Sequence, residues 1–304
     1  MRVHYIFLVL ELVHGLAPPH ANERTTFEND HLSRREMTTL SFLGGMIGMC
    51  LSPTPAFGMT ADKKTGIALP DLGEIEKAIP TDWSDVENPF EEDSSKTMFT
   101  RLDTKPDSVF YTDPRLVEHV DTNAVRILTD YVSNEAIHDG DSVLDLCSSW
   151  TSHFTPASKK VPRFAGLGMN AKELEANGAL TEFLVQDLNQ KPKLLYEDHS
   201  FDTIICQLSI DYLVSPLQVW KEASRVLKPG GKVHILFSNR LFLSKAVGLW
   251  TGADDIDHAY YVGCYLRFSG GDYTNIAARD LSTRNGKKMI TGDPVYVVTA
   301  TKTA

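Results

Sequence analysis

From position 140 onward the apolar residues fall into short runs separated by segments long enough for helices. Val143–Leu146 is such a run, holding one Asp, introduced by the turn pair Asp139-Gly140 and followed by small and polar residues. A buried parallel strand that leads into a ligand loop and then a helix has this pattern. Arg163–Leu167, Phe183–Val185, Phe201–Cys206 and Lys232–Phe237 repeat it, and Pro294–Thr299 reads as a last strand. Val214–Leu227 places Leu217, Val219, Trp220, Ala223, Val226 and Leu227 inward at helical spacing and ends in the turn Lys228-Pro229-Gly230-Gly231. Leu241–Trp250 reads as a further, apolar helix. Upstream, Leu116, Val117, Val120, Ala124, Ile127, Leu128 and Val132 predict an amphipathic helical region that covers one face or edge of the sheet. His119 and Asp121 are then helix-surface residues. Strands spaced for helices indicate an open α/β sheet whose ligand, a nucleotide-like molecule, lies beyond the carboxyl ends of the strands.

The pattern breaks down before residue 110. Asp82–Asp93 carries six acids around Pro89-Phe90 without any period, which predicts a solvated, extended segment, so 59–109 is taken as an acidic lead-in. Residues 1–58 look like an address. Tyr5–Val13 is apolar, follows Arg2 and is too short to span a bilayer, so 1–20 resembles a secretory signal. The twin arginines Arg34-Arg35 precede the apolar Leu40–Leu51 and the small residues before Gly58, so 34–58 resembles a twin-arginine export signal. Stacked in this way, the two resemble the layered presequence of a plastid protein, with the thylakoid lumen as innermost destination. A single anchor helix or a misplaced start is the alternative.

Composition narrows the partners. The chain of 304 residues carries a net charge of −10, of which residues 1–58 account for −1. An acidic body argues against nucleic acid, whose phosphates call for a basic surface. The four cysteines, Cys50, Cys147, Cys206 and Cys264, are far apart in sequence, and neither a zinc knuckle nor a redox pair is spelled out. Cys147 and Cys206 fall at the ends of neighbouring strands, where two small buried hydrophobes are expected. The acids Asp254, Asp255 and Asp257 with His258 lack the converging spacing of metal ligands, so no metal is expected. No stable membrane span is expected in the mature protein, and the sequence does not fix an oligomeric state.

The stretches VLDLCSSWT, FAGLGMN, VQDLN, SFDTIICQLSIDYL and RVLKPGGKVHILFSNR together resemble class I S-adenosylmethionine-dependent methyltransferases. The closest group is the methyltransferase type 11-like one, with its plastid branch in plants and algae. The resemblance runs from about Phe110 to the C-terminus, so 110–304 is expected to form one domain. It implies a Rossmann-like fold, with a mostly parallel seven-stranded sheet, an antiparallel last strand and helices on both faces. It also implies S-adenosyl-L-methionine as cofactor. In the family the first strand ends in an Asp and three alternating glycines. Here Asp145 is kept, while Cys147, Ser149 and Thr151 stand at the glycine positions. The ribose-binding acid of the family aligns with Gly168, with Asn170 two residues on as a substitute. Asp187 and the Leu188 amide match the adenine contacts, and Gln207 lies at the mouth after the fourth strand.

The reading that follows is methyl transfer to a small or lipophilic plastid metabolite, with His258, Asp211 or Tyr212 as candidate base. The altered positions Cys147, Ser149, Thr151 and Gly168 keep open a second reading, a non-catalytic binding or assembly factor on the same fold. A nicotinamide oxidoreductase is a weaker third, since its glycine fingerprint and ribose acid are missing as well.

Overall fold

The computed structural model describes residues 61–62, 66, 68–90, 97–155, 159–286 and 289–304. The presequence readings over 1–58 and the cysteine Cys50 lie outside these. Five parallel strands form where the pattern placed them: β1 (Ser142–Ser148), β2 (Arg163–Gly168), β3 (Glu182–Val185), β4 (Phe201–Gln207) and β5 (Leu227–Phe237). β3 is an edge strand with Phe183 and Val185 exposed, not a buried one. β6 (Tyr273–Asp280) and β7 (Tyr296–Lys302) complete a sheet in the order β3-β2-β1-β4-β5-β7-β6. β7 is antiparallel to both β5 and β6, and the pairings among β1 to β5 are parallel. This is a Rossmann-like α/β fold, a mostly parallel seven-stranded sheet with helices on both faces. β7, the antiparallel last strand, lies inside the sheet between β5 and β6.

Among the described residues four helices of six or more residues pack on the sheet: α1 (Thr122–Tyr131), α2 (Ala171–Ala176), α3 (Pro216–Val226) and α4 (Asp255–Phe268). On one face α1 and the π turn after it bury Ala124, Ile127, Leu128, Tyr131 and Val132 against Val143, Ile205 and Leu236. Asp121 caps α1 by accepting from the Ala124 amide at 2.9 Å, and its other oxygen accepts from the Asp293 amide at 2.7 Å. On the other face α3 and α4 bury Trp220, Ala223, Val262 and Tyr265. Each fully buried side chain of this size contributes about 1.5–3 kcal/mol, which anchors the helices.

Several expectations change. The amphipathic pattern over 110–132 resolves into a short helix at Asp107–Phe110, an irregular segment, and α1. Leu241–Trp250 is mostly loop, with a helical turn at Gly248–Thr251. Buried Lys245, which ties down that loop, hydrogen-bonds the Lys105 carbonyl at 2.9 Å and ion-pairs with Asp103 and Asp107 at 3.2 Å. No helix follows β1 among the described residues. The side chains of Ser149 and Ser152 in the β1–β2 connection fasten it to Glu173 and Asp145. The Lys228–Gly231 turn is absorbed into β5 as an irregularity, with Phe201 opposite Leu227 and Thr203 opposite Lys232. The acidic lead-in is not wholly solvated, since Ile75, Ile79 and Phe90 belong to the core and Phe90 packs on Tyr265 with ring centroids 5.2 Å apart. Among the described residues no helix is long and apolar enough to cross a membrane.

Candidate functional site

In a parallel sheet the crevice opens where the strand order reverses, here between β1 and β4. A cavity of about 820 Å³, part of it open to solvent, lies at that place, beyond the carboxyl ends of β1, β2 and β4. Six of the residues expected from sequence line it: Cys147, Ser149, Gly168, Asp187, Leu188 and Tyr212.

The β1 loop is held by polar side chains. Asp145, 2% exposed, accepts from the Ser148 hydroxyl at 2.7 Å and the Ser152 hydroxyl at 2.6 Å. Burial pushes its carboxyl up to about 6, against the pull of these two hydroxyls. Asn177 donates to the Ser149 carbonyl and the Ser152 hydroxyl, both at 2.9 Å, and the Ser149 hydroxyl donates to Glu173 at 2.7 Å. Gln207 donates to the Ser152 carbonyl at 2.9 Å and meets His153 at 3.0 Å. Asp145 and Gln207 therefore support the loop from below and do not line the cavity. Cys147 sits at the β1 irregularity with φ of +60°, in the left-handed region that glycine favours. The backbone thus takes a shape suited to the family's glycine while carrying a thiol. Cys147 and Cys206 are free thiols, and Cys147 beside it, together with burial, pushes the Cys206 thiol well up.

At Gly168 a Cβ would lie 2.1 Å from the Ser148 carbonyl oxygen, so the first and second strands meet too closely there for any side chain. Asn170 is not at the cavity wall. It caps α2, accepting from the Lys172 and Glu173 amides, and donates to the Tyr111 carbonyl at 2.8 Å. The acid on this side is Glu173 from α2, which lines the cavity and accepts from the Arg115 amide at 2.7 Å.

The three candidate bases fare differently. His258 is buried in α4, stacked on Trp250 with ring centroids 4.0 Å apart, and bonded to the Trp250 carbonyl at 2.8 Å. It is a core histidine that does not line the cavity, with Nδ1 3.6 Å from the Asp255 carboxylate. Asp211 is also fully buried, and burial raises its carboxyl to about 8, so it is protonated at neutral pH. Tyr212 lines the cavity, but its hydroxyl accepts from the Phe242 amide at 2.9 Å, and burial followed by the nearby Asp211 pushes it well above its usual value. Its phenol is a positioned donor and not a base.

Sequence reasoning passed over the wall contributed by 107–119 and 242. Asp107 accepts from Arg101 and Asn189 at 2.8 Å; burial opposes its ionisation, but these partners and Lys245 hold its carboxyl below the usual range. Phe110, Tyr111 and Phe242 pack edge to face, and the His119 ring stands 5.1 Å from that of Phe242. Burial, then the nearby Arg115 charge, lowers the His119 pKa, and the side chain makes no hydrogen bond among the described residues. The signal for these residues was present as FYTDPRLVEH, but helical periodicity was the wrong template for an irregular segment.

Residues 162–235 match the family model described as a methyltransferase domain. The match runs from β2 into β5. Over 80 residues the chain is 30% identical to a malonyl-[acyl-carrier protein] O-methyltransferase of Marinomonas sp. (strain MWYL1), covering 26% of this chain and 28% of that protein. The chain thus spans little more than a quarter of the curated relative it matches. Among solved structures, a SAM-dependent methyltransferase from Aquifex aeolicus is 18% identical, covering 60% of this chain and 93% of that one, with a TM-score of 0.42. Phosphoethanolamine N-methyltransferase 2 of Haemonchus contortus, in complex with S-adenosyl-L-methionine, is 12% identical, covering 60% and 53%, with a TM-score of 0.41.

Proposed function

We propose that the chain transfers a methyl group from S-adenosyl-L-methionine to a small or lipophilic acceptor, and that it does so in a plastid. The observation that carries this reading is the cavity at the strand-order reversal, with the Gln186 Oε1 acceptor buried in its wall and unpartnered among the described residues. Gln186 donates its amide to the Lys191 and Lys193 carbonyls at 2.7 and 2.9 Å, which leaves Oε1 as the acceptor without a partner among the described residues. Beside it, Asp187 uses Oδ1 to accept from the Asn189 amide at 2.9 Å. An adenine-like ring with an exocyclic amino group meets both acceptors. The residues therefore fit the cofactor on its base side. On the ribose side Gly168 offers no acid, and the carboxylate in that wall is Glu173, whose oxygens already accept from the Arg115 amide and the Ser149 hydroxyl.

When bound, the cofactor supplies an electrophilic methyl on a sulfonium. The chain's own work is then alignment, exclusion of water and, for a protonated acceptor, removal of one proton. His119 suits that last role, since it lines the cavity as a neutral imidazole with a free lone pair. The aromatic wall of Tyr111, Tyr212 and Phe242 favours an acceptor with an apolar body.

The test is calorimetric titration of S-adenosylmethionine, and separately S-adenosylhomocysteine, into the full chain. Micromolar affinity that falls at least tenfold in Asp187→Ala and in Gln186→Leu supports the reading. Absence of heat from folded protein at millimolar ligand would overturn it in favour of a binding or assembly factor. Fusion of residues 1–60 to a fluorescent reporter tests the plastid address, and reporter retained in the cytosol would sink that part.

A further inference from the structure

Among the described residues the other buried cations have partners, and Lys302, which makes no ion pair, donates to the Ser224 and Leu227 carbonyls. Lys245 pairs with Asp103 and Asp107, Arg240 with Asp62 and Asp293, and Arg284 with Asp280. Arg115 lines the cavity and is different. Its guanidinium lies over the Phe110 ring, 4.1 Å from the centroid, and 5.4 Å from that of Phe242. Nη2 donates to the Phe110 carbonyl at 3.0 Å, while Nη1 is buried with no hydrogen-bond partner among the described residues. Glu173, the nearby acid, bonds the Arg115 backbone amide, and its second oxygen is taken by Ser149. The guanidinium makes no ion pair among the described residues.

A buried donor on a permanent cation is costly unless something accepts from it. The aromatic rings fix the plane of the guanidinium, so the direction of Nη1 is set before a ligand arrives. We propose that Arg115 is a carboxylate anchor, and that the molecules this cavity takes include one with a carboxylate beside an apolar or aromatic body. The inference rests on the methyl-transfer reading for the identity of the two sources it has to separate: the carboxylate of the cofactor's own amino-acid part, and a carboxylate on the acceptor. His119, whose ring is close enough to feel the Arg115 charge, would then sit by the acceptor's reacting end.

Full-length wild type and Arg115→Gln are titrated with two matched pairs of probes. The first pair is S-adenosylhomocysteine and 5′-methylthioadenosine, alike in the nucleoside and different in the carboxylate. The second is 4-hydroxybenzoate and its methyl ester. The expected result is a loss of about ten- to hundredfold for the carboxylate member of one pair in Arg115→Gln, with its neutral partner unchanged. Loss confined to the first pair assigns the cofactor's carboxylate, and loss confined to the second assigns the acceptor's. Equal affinities of wild type and variant for both carboxylates, or no binding of either carboxylate to wild type at millimolar concentration, overturn the anchor. Failure of both nucleosides to bind wild type refutes the methyl-transfer reading alone, because the benzoate pair still reports on Arg115. Should Arg115→Gln not fold, Arg115→Lys keeps the charge and stem but removes Nη1, and the same comparison applies.

Discussion

Asp211 gives the sharpest physical test, because its protonation separates a buried structural acid from a catalytic base. Its carboxyl stands at about 8, against an ordinary 3.8; burial is the cause, and its own amide and the Tyr212 hydroxyl pull the other way. Oδ2 has no hydrogen-bond partner among the described residues. Between pH 4 and 8 the folded chain therefore holds a proton here that the unfolded chain has lost. Stability falls with rising pH across that window, by up to about 1.4 kcal/mol per pH unit, and levels off above pH 8. The accumulated cost is on the order of 5 kcal/mol as an upper bound.

Asp211→Asn keeps one acceptor and one donor and never ionises, so it mimics the protonated acid. Urea unfolding of wild type and variant from pH 4 to 8.5 isolates this site, since the other acids titrate alike in both. The two are expected to agree within about 1 kcal/mol at pH 4, with the variant more stable by a few kcal/mol at pH 8.5. Parallel curves, or a variant that loses stability most at high pH, would show an ionised Asp211 and reopen its claim to be the base.

Other substitutions probe the remaining assignments. His119→Gln should leave S-adenosylhomocysteine affinity unchanged and lower turnover by about 10²–10⁴-fold for a protonated acceptor, with the wild-type acid limb lying below 6.5 because the imidazole pKa is lowered; unchanged turnover would remove His119 from the reaction. Gly168→Asp restores the family's acid in sequence, yet it should destabilise by about 1–3 kcal/mol or more and weaken nucleoside binding, since its Cβ meets the Ser148 carbonyl; tighter binding would contradict the packing described. His258→Ala should lower the melting temperature through lost stacking on Trp250 and leave ligand affinity intact, as thermal shift and calorimetry would reveal. Phe90→Ala should cost about 3–5 kcal/mol, because the lead-in belongs to the core, and a change within 0.5 kcal/mol would return it to solvent.

The strands were legible because a buried parallel strand has to be apolar throughout, as Val143–Leu146 and Phe201–Cys206 are. Asp187, Leu188 and Gly168, which the resemblance assigned to the cofactor, line one cavity. The rest of its wall was not legible. Tyr111, Arg115 and His119 belong to a segment without period, whose position is set by long-range bonds to Asn170 and Glu173 that no local pattern encodes. Leu116 and Val117 satisfied a helical template although both are exposed. His258 misled for the opposite reason, since a titratable residue in an acidic run looks reactive until its ring is found packed on Trp250. Asp254 shows what that acidic run is for: it caps α4 by accepting from the Ile256 and Asp257 amides at 2.9 and 3.0 Å.

The β1 loop shows how a glycine motif can be dispensed with. Glycines serve where backbone has to turn sharply and approach closely, and their cost is conformational freedom in the unfolded chain. Here Cys147 accepts the left-handed conformation, which costs on the order of 1 kcal/mol or more. Asp145, Asn177 and Gln207 together bond Ser148, Ser149 and Ser152, so the loop is fixed by side-chain hydrogen bonds that glycines lack the groups to make. In the same place the Ser148 carbonyl stands against Gly168 and leaves no room for an acid at the end of β2. The positions of the missing glycines and of the missing ribose acid thus meet at one contact. On the methyl-transfer proposal, recognition would fall to groups outside the motif, Glu173 and Arg115, which line the same cavity.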